Sequence, residues 1–100
     1  MGFEVYFSFR AEERLDLILD YLYTHWGYAV QNDFIRELEH CLTIIKVNPY
    51  TFPCYRESIL RRCVVTPQNV LYYTIQGKTI LVVSIEDTRA NPKEIKELLP

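Results

Sequence analysis

The chain has 100 residues, is 49% hydrophobic and carries a formal net charge of −2, which describes one domain with a single modest core. No window holds the roughly 18 continuous apolar residues that a membrane-spanning helix needs, so a soluble, cytoplasmic protein is expected over residues 1–100. Residues 1–55 carry four positive and eight negative side chains, and residues 56–100 carry seven and five. Contact with a polyanion is therefore plausible only in the C-terminal half.

Phe3-Glu4-Val5-Tyr6-Phe7 reads as a first strand. Ser8 then offers a helix N-cap, with Glu12 and Glu13 complementing the dipole of the first turn. Leu15, Ile18, Leu19 and Leu22 form one apolar stripe at i, i+3, i+4 and i+7. Gly27 suits the left-handed position that ends a helix.

A second helix is expected from Tyr28 to Lys46, with Phe34, Leu38, Cys41, Leu42 and Ile45 on one face. The short link forces an antiparallel hairpin in which Trp26 and Tyr28, flanking the turn, are expected to cap the core. Asn48-Pro49 stops the second helix, and residues 48–57 form an irregular crossing loop.

From Ile59 the period changes to that of strands: Ile59–Val65, Val70–Ile75 and Thr79–Ile85, joined by turns at Thr66–Asn69 and Gly77-Lys78. A short helix from Pro92 to Leu98 closes the order β-α-α-β-β-β-α. The fold class is α+β, one helical hairpin packed on an antiparallel sheet.

Val70–Ile75 and Ile80–Ile85 are apolar toward both faces, yet one hairpin covers only one. The other face awaits either Phe52, Tyr55 and Leu98-Leu99 of the same chain, or a second chain. Arg61 and Arg62, consecutive on a strand, must point to opposite faces. Arg89, just past the last strand, can hold a carboxylate or phosphate in bidentate fashion. Glu57, Glu86 and Asp87 are nearby partners for these three arginines, while Tyr72 and Tyr73 read as core or rim aromatics. The three cysteines have no CxxC spacing and His25 and His40 lie on different helices; reduced thiols, no metal and no cofactor are expected. Met1-Gly2 lacks the Ser or Thr at position 6 that myristoylation requires, since Tyr6 stands there.

Ala11–Ile18 with Asp20-Tyr21-Leu22 and Trp26-Gly27, the helix from Phe34 to Leu42, Asn48-Pro49, Leu60-Arg61-Arg62, Val70–Ile75 and Ile85–Pro92 follow one another over nearly all of the chain. In that order they resemble the RelE/ParE toxins of bacterial type II toxin–antitoxin systems, on the side of the ParE, plasmid-stabilisation type. The resemblance implies a toxin silenced by a cognate antitoxin, as a homodimer or a toxin–antitoxin hetero-oligomer. Arg61, Arg62, Tyr72, Tyr73, Arg89 and Lys93 would then be the residues that meet target or antitoxin.

Within that family, RelE-like members cut messenger RNA on the ribosome and ParE-like members poison DNA gyrase without catalysing a reaction. RNA cleavage needs a base for the 2′-hydroxyl, cations for the phosphorane and an acid for the leaving oxygen. Arg62 and Arg89 would serve the phosphate, but no Tyr or His follows Arg89, and Glu86 and Asp87 stand beside it. Gyrase poisoning is the expected activity; RNA cleavage and an inactive, antitoxin-binding member are the alternatives.

Overall fold

A computed structural model describes residues 2–99. The elements run β1 (Glu4–Phe7), α1 (Phe9–Trp26), α2 (Tyr28–Val47), β2 (Arg61–Thr66), β3 (Asn69–Gln76), β4 (Thr79–Asp87) and α3 (Pro92–Lys96). The order matches the expected one. β2, β3 and β4 form the antiparallel meander, and β1 joins β4 in parallel, so the sheet is mixed with strand order β1-β4-β3-β2.

The pairing of β1 with β4 stops at Phe7 opposite Val82, and the rest of β4 would present a bare edge. The start of α1 takes over there. Ser8 donates its backbone N–H to Val82 O (2.9 Å) and its hydroxyl to Val83 O (2.7 Å), while the same oxygen accepts from Ala11 N as the helix cap. One turn on, Arg14 Nε donates to Ile85 O at 3.3 Å.

Gly27 alone joins the two long helices, at φ 87° and ψ 179°. The positive φ was expected; the extended ψ takes it outside the left-handed helical well into a region open only to glycine. α2 ends at Val47 with Asn48 as its cap, and the Asn48 side-chain oxygen accepts from Tyr50 N at 3.1 Å across the buried Pro49. β2 starts two residues later than Ile59, because Tyr55 N bonds Leu60 O (2.6 Å) and Ser58 Oγ accepts from Leu60 N (2.8 Å), closing a tight turn. β4 runs two residues past Ile85 to Asp87, and α3 ends at Lys96, two short of Leu98.

Between hairpin and sheet, Phe34, Leu38, Cys41 and Ile45 of α2 meet Leu71, Tyr73, Ile80, Val82 and Ile85, with Leu15, Ile18, Leu19, Leu22 and Leu42 half-buried around them. Each fully buried Leu, Ile or Phe contributes about 1.5–3 kcal/mol. The opposite face is covered by the chain itself: Leu60, Val70, Tyr72, Val83 and Ile95 form a second core, joined by Tyr55, Leu81, Leu98 and Leu99. Phe52 departs from expectation and packs into the hairpin-side core. Trp26 and Tyr28 do not cap the core; both are exposed. No helix among the described residues is long and apolar enough to cross a membrane.

Candidate functional site

The six residues singled out by sequence fall in three places. Arg61 and Tyr73 pair across β2 and β3 and face the hairpin side. Arg61 donates to Phe52 O at 2.7 Å and lies 5.2 Å over the Tyr50 ring, and the Tyr73 hydroxyl donates to Pro49 O at 2.6 Å. Burial pushes the Tyr73 phenol up to about 12.

Arg62 and Tyr72 pair on the other face, beside α3. Tyr55 meets Tyr72 edge-on at 5.6 Å and lies 5.7 Å below the Arg62 guanidinium. Burial raises the Tyr72 phenol above its ordinary range while Arg62 pulls the other way. The Arg62 Nε is buried with no hydrogen-bond partner among the described residues. Lys93 stands exposed on the first turn of α3.

Arg89 occupies the third place. It grips Asp87 through its own backbone N–H (2.7 Å), Nε (3.0 Å) and a terminal nitrogen (3.0 Å). That grip holds the Asp87 carboxyl down at about 2 and raises the guanidinium in turn. Because the folded pKa lies below the ordinary value of about 3.9, the contribution of this pair is fully present above about pH 4. It is lost as the pH falls toward 2. An NMR titration of the Asp87 carboxyl is expected to show the depressed midpoint, and Arg89→Ala to return it toward the ordinary value; an unchanged midpoint would mean that Arg89 is not its partner.

Arg62 and Arg89 are not brought together. Arg62 pairs with Tyr72, which pairs with Ser84, and Asp87 lies three residues, about 10 Å, further along β4. Arg89 also lines the hairpin side, whereas Arg62 sits among the aromatics beside α3.

Sequence reasoning missed Arg10 and Arg14. Glu86 is buried, its side chain only 5% exposed, and accepts from Arg10 (3.1 Å), Arg14 (3.2 Å) and the Ser84 hydroxyl. The i,i+4 spacing of the two arginines was the available signal. It named no partner, because Glu86 lies more than seventy residues away.

Beyond Arg14 a groove of about 780 Å³ opens between α1, α2 and the β2–β3 turn. Leu17, Tyr21, Trp26 and Val30 give it an apolar wall, and Arg89 with Asp87 stands at its rim. Leu17 is 64% and Trp26 65% exposed. Large apolar side chains contiguous along a groove and rimmed by charge mark a protein-docking surface.

The unit is a helical hairpin packed on a four-stranded mixed sheet, with an apolar groove and a charged rim on its helical side. Residues 5–92 match the family described as ParE toxin of type II toxin-antitoxin system, parDE, and the chain belongs to it. In structure it is similar to a chromosomal ParDE system from P. aeruginosa, at TM-score 0.71 and 12% identity over 85% of this chain and 95% of that one. YafQ from E. coli strain BL21(DE3) aligns at TM-score 0.61 and 15% identity, over 85% and 92% of the two chains. A copper-bound mutant toxin from Helicobacter pylori aligns at TM-score 0.57 and 12% identity, over 86% and 94%. No curated protein matches the chain in sequence. At these identities the structural likenesses establish the fold; the family match makes the chain a ParE-type toxin with an antitoxin as partner.

Proposed function

We propose that this toxin is held silent in the cytoplasm by an antitoxin segment lying in the groove beside Leu17, Tyr21, Trp26 and Val30, and that the free toxin acts by binding DNA gyrase through the rim around Arg89. The observation that carries the reading is the position of Arg89: it stands at the rim of the groove with its side chain 89% accessible, and an occupant of the groove would cover it. Neutralisation is then occlusion of the contact that poisons the target.

The phenols support protein contact over RNA cleavage. Tyr72 and Tyr73 both have raised pKa values, so neither is ionised at neutral pH to accept the 2′-hydroxyl proton, and the Tyr73 hydroxyl is engaged with Pro49 O. The RNA-cleaving alternative rests on the Arg62, Tyr55 and Tyr72 cluster, where a cation lies over one aromatic ring that meets a second edge-on.

Purified toxin is expected to inhibit gyrase supercoiling in vitro, and induction to trigger the DNA-damage response. Arg89→Ala is expected to relieve growth arrest by at least tenfold in survival, since truncating a well-placed charged contact weakens binding by this much or more, with unchanged circular dichroism. Intact supercoiling together with cleavage of messenger RNA in translating extracts, abolished by Arg62→Ala, would replace this reading by the ribonuclease.

A further inference from the structure

Cys41 on α2 and Cys63 on β2 meet inside the hairpin-side core, both buried. Their sulfurs are 2.8 Å apart, closer than the roughly 3.5–4.0 Å at which non-bonded heavy atoms rest. Both also approach the Val64 carbonyl, Cys41 Sγ at 3.6 Å and Cys63 Sγ at 3.9 Å, so helix and strand hold the two thiols against one another from either side. The third cysteine, Cys54, is exposed in the crossing loop. Neither buried thiol has a part in the groove, in the Arg62 cluster or in the Arg89 rim.

We propose that Cys41 and Cys63 are a two-electron oxidation site, which a small hydroperoxide converts into a disulfide that staples α2 to β2. The S–H of Cys63 donates to Cys41. That hydrogen bond lowers the pKa of Cys41 and, with burial, raises that of Cys63, making Cys41 the attacking thiolate. Cys41 sulfur attacks one oxygen of the peroxide and breaks the O–O bond, giving a sulfenic acid and, with hydrogen peroxide, a hydroxide that is protonated to water. Cys63 sulfur then attacks the Cys41 sulfur and expels its hydroxyl, which leaves as water with the Cys63 proton. Two thiols and one hydrogen peroxide become one disulfide and two waters. The peroxide is reduced by the two electrons that the sulfurs lose. A reducing cytosol keeps the pair as thiols, so the staple belongs to oxidative conditions.

The cross-link joins positions 22 residues apart, and closing a loop of this size removes freedom from the unfolded chain, raising Tm by on the order of 10 °C.

The test treats the folded chain with hydrogen peroxide, unfolds it in iodoacetamide and maps the peptides by mass without reduction. The alkylatable thiols are expected to fall from three to one, Cys54 alone remaining, with a loss of about 2 Da from the intact chain. Cys54→Ser is expected to lose both of its remaining thiols, and Cys63→Ala to stop at a sulfenic acid on Cys41 that dimedone traps. Three alkylatable thiols after treatment, a disulfide or oxidation confined to Cys54, or a sulfinic acid on Cys41 with Cys63 free would each overturn the proposal. These readouts come from unmodified chain, so they stand even if Cys63→Ala fails to fold.

Discussion

Removing both Arg10 and Arg14 is expected to lower the unfolding free energy by about 3–5 kcal/mol, because it strands the buried carboxylate of Glu86. The arginines themselves are half open to solvent, so the effect comes from the acid they leave behind rather than from the attraction they lose. Either single Ala variant leaves one guanidinium in place and should cost about 1–2 kcal/mol, so the double variant should exceed the sum of the singles. Arg14→Ala also removes the donor to Ile85 O on the edge of β4. Adding Glu86→Gln to the double variant should recover a good part of the loss, since a neutral amide is cheaper to bury than an unpaired charge. Urea unfolding with an unchanged slope measures all four variants against the wild type; additive singles, or no recovery on adding Glu86→Gln, would refute the clamp.

That clamp shows what local pattern can and cannot encode. The hairpin was legible because the stripes through Leu15, Ile18 and Leu22 and through Phe34, Leu38 and Ile45 repeat at helical spacing within single segments. The meander was legible because the strand runs from Ile59 onward are joined by short turns that leave room only for antiparallel pairing. The parallel seat of β1 was not, since nothing in five residues says which strand they will pair with. The extension of β4 through Glu86 and Asp87 was not legible either. Two acids look like the end of a strand until arginines from the start of the chain neutralise the first of them.

The site divides along the same line. Arg89 and Asp87 are two residues apart, and their pairing was foreseeable from sequence alone. The split of Arg61 from Arg62 also followed from strand alternation, and each arginine has its own aromatic partner, Tyr50 or Tyr55. The second sheet face was left open between cover by the chain itself and cover by a second chain. Tyr55, Leu98 and Leu99 close it with Leu60 and Ile95, and the exposed apolar surface lies on the helices, where Leu17, Tyr21 and Trp26 fall outside the buried stripe of α1. Solvent exposure of a Trp beside a turn depends on how far the neighbouring helix and the β2–β3 turn reach, which no window of sequence contains.

Those outward side chains carry the last expected result: Trp26→Ala should weaken the cognate antitoxin by about 30–1,000-fold, the 2–4 kcal/mol of a central aromatic anchor. Since Trp26 is mostly exposed in the free toxin, the same change should move folding stability by only about 0.5 kcal/mol. Leu17→Ala should act in the same direction and more weakly, and Val47→Ala, more exposed than either but outside the groove, should do nothing. Charge at the rim works on a different quantity. In the proposed complex Arg14 and Arg89 would steer approach, so their loss should slow association and flatten its salt dependence more than it speeds release. Titration calorimetry with purified cognate antitoxin reads the affinities, and co-expression gives the cellular counterpart: Trp26→Ala keeps Arg89 and its rim, so it should arrest growth even when antitoxin is supplied. Wild-type affinity in both groove variants would move the antitoxin to another surface and leave the groove without its proposed occupant.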